Sequence, residues 1–372
     1  MKRLVLIGGG HSHVEVIRRI GMRPSPGLHV TLVSPQRHTP YSGMLPGLVA
    51  GHYDYAECHI DLQALCAAAC VDWVADAAAG LDLPRRTCTL QSGAGIGYDI
   101  VSLDIGSAPP PDRQAPRPGR EIGIKPTETF LGWWDDLRVR ARVRPLRLLV
   151  VGGGAGGIEM TLAMQHRLQS EGARATFSIA TMERSILAGH PPGVRRRFAR
   201  VLQARGIGVL TGARVTHLDA GGAWLDSGAQ LEADGVVWAL GPVAAQWPGR
   251  AGLATNERGF VLVDRHLRSI SHPEVFAAGD IATMRERAHP KSGVYAVRHG
   301  PPLAENLRRT LAGEKLVTYS PQRVALALIS TGERCAVASW GPLSLHGAWV
   351  WRWKDRIDRG FMARYRARPA PS

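Results

Sequence analysis

Leu6-Ile7-Gly8-Gly9-Gly10-His11-Ser12-His13 near the start and Val150-Val151-Gly152-Gly153-Gly154-Ala155-Gly156-Gly157 in the middle are two copies of one device. Each closes a short apolar run, residues 3–7 and 146–151, and each opens a stretch with helical spacing, 14–20 and 158–168. The order strand, glycine turn, helix has a physical use. The first glycine makes the tight turn, the second lets backbone approach a pyrophosphate, and the third lets helix and strand pack closely. The phosphates then rest on unpaired N–H groups at the helix N-terminus. One such turn is a weak signal; two, each in register with its strand and helix, predict two dinucleotide cradles on one chain.

Working outward, residues 28–33 and 175–180 read as the second strands of the two folds, and 98–103 as a further strand of the first. Residues 61–69 and 192–205 read as helical, and 108–118, with five prolines, as an irregular linker. Residues 260–264 and 275–280 return to strand, a helix is expected from about 300 to 311, and 324–329 and 335–340 are extended. The fold class is therefore α/β, with two Rossmann-like dinucleotide-binding domains and a small C-terminal domain. The expected boundaries are 1–115 with 253–315 for the first domain, 116–252 for the inserted second, and 316–372 for the terminal segment.

The 372 residues are 45% hydrophobic and carry a net charge of +15, enough apolar content for two or three cores. No apolar run approaches a membrane span, and Lys2-Arg3 leads into too few apolar residues for a secretory signal, so the expected location is cytoplasmic. Five cysteines, Cys58, Cys66, Cys70, Cys88 and Cys335, form no C-x-x-C and suit a reducing compartment. Only five of the 46 basic residues are lysine; without a nucleic-acid-binding motif beside the charge, no nucleic-acid partner is expected.

Phe276-Ala277-Ala278-Gly279-Asp280 is the third informative element, an apolar strand ending in Gly-Asp, with a helix able to start at Ile281. Together with both glycine turns, Asp104-Ile105-Gly106-Ser107-Ala108-Pro109 and Val237-Trp238-Ala239-Leu240-Gly241, it makes the chain resemble the pyridine nucleotide-disulfide oxidoreductases over nearly its whole length. Within that family the resemblance is nearest to type II NADH dehydrogenases and to the flavoprotein module fused ahead of selenide, water dikinase. The narrower kinship rests on residues 38–47, on Gly293-Val294-Tyr295-Ala296-Val297-Arg298 with Gly300-Pro301-Pro302, and on Trp351-Arg352-Trp353-Lys354-Asp355. Lacking a kinase portion, the chain would be a stand-alone relative.

The resemblance implies FAD on the first fold and NAD(P)H on the second. The FAD contacts it implies are Gly8, Gly10, His11, Tyr41, Gly106, Gly279 and Asp280, with Asp280 on the ribityl chain. The nicotinamide dinucleotide would meet Gly152, Gly154, Gly157 and Gly241. Several positions depart from the family pattern. His13 fills the third glycine slot of the first turn, either widening the helix–strand contact or setting an imidazole near the phosphates. Ser34 stands where an acid receives the adenosine ribose, leaving Arg37 as a substitute. Thr181 holds the matching slot in the second fold with Arg184 behind it, so NADPH is as open as NADH.

No cysteine lies between Ser34 and Glu57, where the disulfide-bearing branch of the family places its redox pair, so electrons are expected to leave the flavin directly. Glu159, in the first turn of the second helix, is the candidate to orient the nicotinamide or to move a proton; ordinary helix-dipole chemistry is its plain alternative. Lys291 is the candidate to face the pyrimidine end of the flavin. Trp349, Trp351, Trp353, Ile357, Phe361, Met362 and Tyr365 lie among arginines up to Arg368, a stripe suited to an anionic membrane's inner face, to the flavin domain or to a homodimer partner. No histidine spacing suits a metal. The functions left in view are NAD(P)H-to-quinone electron transfer through FAD, reduction of a selenium or sulfur species in support of selenophosphate synthesis, and a non-catalytic FAD-binding sensor or docking protein.

Overall fold

Both apolar runs become central strands of parallel five-stranded sheets in the computed structural model, which describes residues 1–108 and 119–366. In the first sheet Lys2–Ile7 lies between Leu28–Val33 and Ile100–Leu103, with Asp72–Val74 and Val275–Ala277 at the edges. In the second, Leu146–Val151 lies between Ala175–Thr181 and Gly235–Trp238, flanked by Gly208–Thr211 and Glu121–Gly123. Strands with nearly continuous buried runs, such as Leu148 to Val151, are what a parallel sheet covered on both faces requires. The second sheet falls in sequence between two strands of the first, because Val275–Ala277 pairs in parallel with Ile100–Leu103. That is the insertion expected from the duplicated turn.

The proline-rich stretch beyond Ala108, the 115/116 boundary and Arg368 lie outside the described residues. Ala108 itself is tied to the far side of the insertion, its N–H donating to the Val243 carbonyl at 2.8 Å.

One expectation is corrected. No α-helix starts at Ile281: a single 3₁₀ turn, Gly279–Ile281, leads into the strand Ala282–Met284, which pairs in parallel with Val261–Val263. Gly279 at φ +65° turns the chain into that pairing, and the helix begins instead at Gly293 and runs to Ala312 with Pro301 and Pro302 inside. The tryptophan-rich terminal segment forms one helix, Ala348–Met362. Residues two apart sit about 200° apart on a helix, so Trp351 points inward while Trp349 and Trp353 point out.

The terminal segment covers the two nucleotide folds. Ala336 and Ala338 of strand Glu333–Trp340 pack into the first core, and Val337 between them packs into the second. Period-two alternation thus lets one strand seal two cores. The helix behind it buries Val350, Trp351, Phe361 and Met362 against the first core. At about 1.5–3 kcal/mol per large apolar side chain, that inward face would be costly to lift onto a lipid surface.

Candidate functional site

A cleft of about 460 Å³ opens where the strands of the first sheet end, lined by Gly8 to His11, Ser34, Asp104 to Ala108, Lys125 and Asp280. Its size suits a cofactor. Gly8, at φ +92°, is obligatory because a Cβ there would stand 2.5 Å from the Asp104 carbonyl oxygen. Gly10 and Gly279 leave room for something the sequence reading did not single out. A Cβ on Gly10 would be 2.3 Å from Asp104 Cγ, and one on Gly279 would be 2.2 Å from Asp104 Oδ1.

Asp104 Oδ2 accepts the N–H groups of Ser12 at 2.7 Å and His13 at 3.1 Å. A buried carboxylate therefore sits on the N-terminus of the His11–Met22 helix, beside the place a pyrophosphate would occupy. Burial pushes it up to about 6, against the opposing pull of the His13 and Ser12 amides and of His11.

His13 resolves as a lock. Its Nδ1 is 2.7 Å from the Gly8 carbonyl, which can only accept, so Nδ1 carries the proton and Nε2, 2.8 Å away, accepts from the Ser102 hydroxyl. Burial drops this imidazole to about 4, which keeps it neutral. In the second turn a side chain at the matching slot is impossible, because a Cβ on Gly157 would lie 2.1 Å from the Gly152 carbonyl. His11 lines the cleft and its buried Nε2 has no hydrogen-bond partner among the described residues. A buried polar atom left unpaired is costly, and a bound cofactor would relieve it. Lys125 Nζ is 3.4 Å from Asp280 and 2.9 Å from the Ser107 hydroxyl, placing a cation at the mouth of the acid pair. Gly106, at φ +67°, makes the crossing turn in the same wall.

Three expected contacts are redirected. Arg37 pairs with Asp61 at 2.7 Å, and it does not line the cleft although its neighbours Gln36 and His38 do. Ser34 lines the cleft, its hydroxyl donating to the Gln36 carbonyl at 3.3 Å. Lys291 turns away: Nζ donates to the Ala282 carbonyl and, at 2.7 Å, to the Thr283 hydroxyl, and lies 4.4 Å above the Phe260 ring. The displaced helix start explains this, since the strand Ala282–Met284 brings its own acceptors to Lys291 first. The Gly279 N–H, expected to face a pyrophosphate, donates to His299 Nδ1 at 3.1 Å.

The second turn has the stricter geometry. Gly152 is at φ +132° and a Cβ on it would lie 2.2 Å from the Ala239 carbonyl oxygen. Gly154 caps the helix Ala155–Ser170 with open space in front of it, and no atom stands within 4 Å of where a Cβ on Gly241 would be. Thr181 is buried beside Gly153, and Arg184 lines a separate cavity of about 590 Å³.

Glu159 projects from this helix toward the terminal segment, its Oε1 accepting the Ser330 N–H at 2.7 Å. The residue as a whole is half-buried, but burial governs the titration of its carboxyl. Burial pushes it up to about 7, offset by the Lys354 charge and the Ser330 N–H and reinforced by Asp358. Lys354 and Asp358 form a buried pair at 2.5 Å on the terminal helix, and Lys354 also donates to the Gly43 carbonyl. Tyr41 completes the wall, stacked on Phe361 at 4.4 Å with His11 at 5.5 Å; burial, then Asp358, raises its phenol far above the ordinary value. Asp104, Lys125, Lys354 and Asp358 are the site residues that sequence reasoning missed. A signal existed for one pair: Lys354 is one of five lysines among 46 basic residues and lies four positions before an acid.

All five cysteines are unpaired, and none lines the cleft among the described residues. The described residues hold no cluster able to bind a metal and no helix long and apolar enough to cross a membrane.

Residues 2–300 match the pyridine nucleotide-disulphide oxidoreductase family. The chain is 29% identical over 266 residues to an NADH dehydrogenase-like protein of Mycobacterium tuberculosis, covering 67% of this chain and 64% of that protein. It is 28% identical over 201 residues to a demethylphylloquinone reductase of Synechocystis, covering 52% of this chain and 49% of the other. The chain thus spans less than two thirds of the length of either relative. The solved structure of NDH2 from Plasmodium falciparum in complex with NADH superposes with a TM-score of 0.82 at 14% identity, covering 99% of both chains, which shows the shared fold.

Proposed function

The chain belongs to the pyridine nucleotide-disulphide oxidoreductase family, and from that premise we propose that it passes electrons from NAD(P)H through bound FAD to a quinone-class acceptor. The observation that carries this reading is the pair of glycine-turn cradles on parallel sheets of one chain, with Glu159 on the helix that follows the second turn and the Lys354–Asp358 pair acting on its carboxyl. The names of both curated relatives support it.

The first cleft fits FAD by its own chemistry. The glycines at 8 and 10 clear the turn, the unpartnered His11 Nε2 offers a buried polar contact, Asp280 can accept from a sugar hydroxyl, and Lys125 supplies the counter-charge. The second cradle fits a nicotinamide dinucleotide by the tight turn at Gly152, the close helix–strand approach at Gly157 and the open space at Gly154. Bound FAD supplies two-electron chemistry between a nicotinamide and an acceptor. The chain's own groups manage position and protons. The Glu159 carboxyl, held near 7, can keep or release a proton at its oxygens around neutrality. Lys354, fixed by Asp358 and the Gly43 carbonyl, holds positive charge behind it. The unpaired cysteines and their absence from the cleft lining support direct exit of electrons without a dithiol relay.

A peripheral seat on an anionic membrane accords with a lipid-soluble acceptor. Trp349, Trp353 and Ile357 are exposed on one stripe of the terminal helix next to Arg352 and Arg356, and Trp340, Leu343 and Leu345 are exposed on the preceding hairpin.

The test is anaerobic mixing of the FAD-loaded chain with each nicotinamide, followed by a water-soluble quinone or by polysulfide and selenium species. Bleaching of the flavin band and rapid return with the quinone are expected. Failure of both nicotinamides to bleach it would refute electron transfer and leave a flavin-binding sensor. Faster return with the sulfur or selenium species would overturn the acceptor class.

A further inference from the structure

Asp280 reaches the first cleft from a single 3₁₀ turn whose first residue, Gly279, stands at φ +65°. A turn this short has few hydrogen bonds of its own, and the Gly279 N–H goes to a side chain, His299 Nδ1, at 3.1 Å. We propose that His299 is a positioning residue for the FAD site, holding the Gly279–Asp280 turn through a relay with His289 that works only while both imidazoles are neutral. The proposal rests on FAD occupying the first cleft and is independent of which acceptor takes the electrons.

The protons follow from the partners. A backbone N–H can only donate, so His299 Nδ1 is the bare nitrogen and its Nε2 carries the hydrogen. That Nε2 lies 3.1 Å from His289 Nε2, which must therefore accept. His289 carries its own hydrogen on Nδ1, 3.1 Å from the Pro290 carbonyl, which can only accept. The two ends of the relay thus assign the same pair of tautomers, with no proton to spare. A second proton on His289 would set N–H against N–H across the gap between the rings. His299 could accept from it only by moving its own hydrogen to Nδ1, where that hydrogen meets the Gly279 N–H and the hold on the turn is lost.

The surroundings keep the relay in place. His299 is fully buried in the second turn of the helix Gly293–Ala312. Ala296, one turn earlier, lines the cleft, and its carbonyl accepts the Ser12 hydroxyl at 2.7 Å. Tyr319 meets His299 edge-on at 5.0 Å and Tyr295 stacks on His289 at 4.3 Å, which limits rotation of either ring. The charged groups facing the pair are Lys291, which opposes a proton on both rings, and Asp280, which favours one on His289. Burial drives His299 down to about 3, so the inner ring stays neutral. His289 is only partly buried and is the ring that titrates; burial sets it below the ordinary 6.5, against the pull of the Pro290 carbonyl. Acid therefore opens the relay, and neutral or higher pH keeps it closed.

The experiment uses the FAD-loaded full chain. Nitrogen NMR of labelled histidine at neutral pH should show His299 protonated at Nε2 and bare at Nδ1, and His289 the reverse. The rate of FAD release on dilution, read as the rise in flavin fluorescence, is then compared from about pH 8 down to about pH 4.5 for wild type, His289→Gln and His299→Phe. The glutamine carbonyl can accept from His299 at any pH. His289→Gln should match wild type at about pH 8 and release FAD about fivefold more slowly at about pH 4.5, the factor that losing one net hydrogen bond implies. Asp104 titrates in both chains, so the ratio of the two rates isolates the relay. His299→Phe leaves the Gly279 N–H without its acceptor and should release FAD faster than His289→Gln at every pH. A wild-type to His289→Gln ratio that stays flat with pH would overturn the proposal, as would a His299 that carries its hydrogen on Nδ1. If His299→Phe fails to fold, those two measurements decide. Bleaching by nicotinamide is read separately. A chain that bleaches but shows a flat ratio loses the relay and keeps the electron-transfer reading; a chain that shows the relay without bleaching does the reverse.

Discussion

Replacing Glu159 with glutamine removes a proton store whose worth can be worked from its surroundings. The folded chain raises this carboxyl from the ordinary 4.5 to about 7, chiefly by burial. At ~1.36 kcal/mol for each tenfold change, the folded state favours the protonated acid by about 3 kcal/mol. Well below 4.5 the group is protonated whether the chain is folded or not, and contributes no pH dependence. Between 4.5 and about 7 the unfolded chain ionises while the folded chain holds its proton, so stability falls as pH rises. Above about 7 both are ionised and the full cost of a buried carboxylate is present. Glutamine never ionises. Glu159→Gln should therefore match wild type at about pH 4 and exceed it at about pH 8.5 by up to about 3 kcal/mol, read as several degrees of thermal midpoint in the FAD-loaded protein. A second readout separates proton transfer from mere packing. The pH profile of flavin reoxidation should break near 7 in wild type and lose that break in the variant, with the rate down by roughly 10²–10⁴ if the carboxyl moves a proton in the slow step. A variant that kept the break, or a stability gap that failed to widen with pH, would refute the reasoning.

Gly152→Ala puts a Cβ 2.2 Å from the Ala239 carbonyl at φ +132°, so it should close the second cradle alone. The purified variant should stay yellow with FAD yet resist bleaching by either nicotinamide, which an absorption spectrum checks directly. Asp104→Asn should tighten FAD binding at high pH and flatten its pH dependence, measured by flavin fluorescence titration. In wild type the carboxylate gains its charge as pH rises through about 6, facing His11, Lys125 and Asp280, and a diphosphate brought beside it then meets growing repulsion.

The two folds were legible because their signals are local. An apolar run, a glycine turn and a helical spacing occupy about twenty consecutive residues, and nothing distant is needed to read them. The site was legible only where it is built from such runs. Gly8 and Asp280 line the first cleft, while Lys291 and Arg37 do not, because each is claimed by acceptors brought in by a neighbouring strand or helix cap. Asp104 was hidden for a related reason. It reads as the residue just past the end of a strand, and its meaning comes from the amides of Ser12 and His13, 92 and 91 positions earlier.

The terminal helix shows what periodicity can and cannot decide. Its sequence announces two faces, tryptophan with arginine on one and Val350, Lys354, Asp358 and Phe361 on the other. Spacing alone does not say which face meets protein. That is decided by Gly43 and Tyr41, more than 300 residues upstream, which offer Lys354 a carbonyl and Phe361 a ring. Burying a lysine and an aspartate makes sense only as a pair, since either one left alone would cost several kcal/mol. Lys354 reaches the Gly43 carbonyl while its charge acts on the Glu159 carboxyl, which ties the last helix to the proposed site. Trp349 and Trp353 stay exposed on the outer face, so under the proposed function one helix would hold the charge behind Glu159 on its inner side and face the acceptor's medium on its outer one.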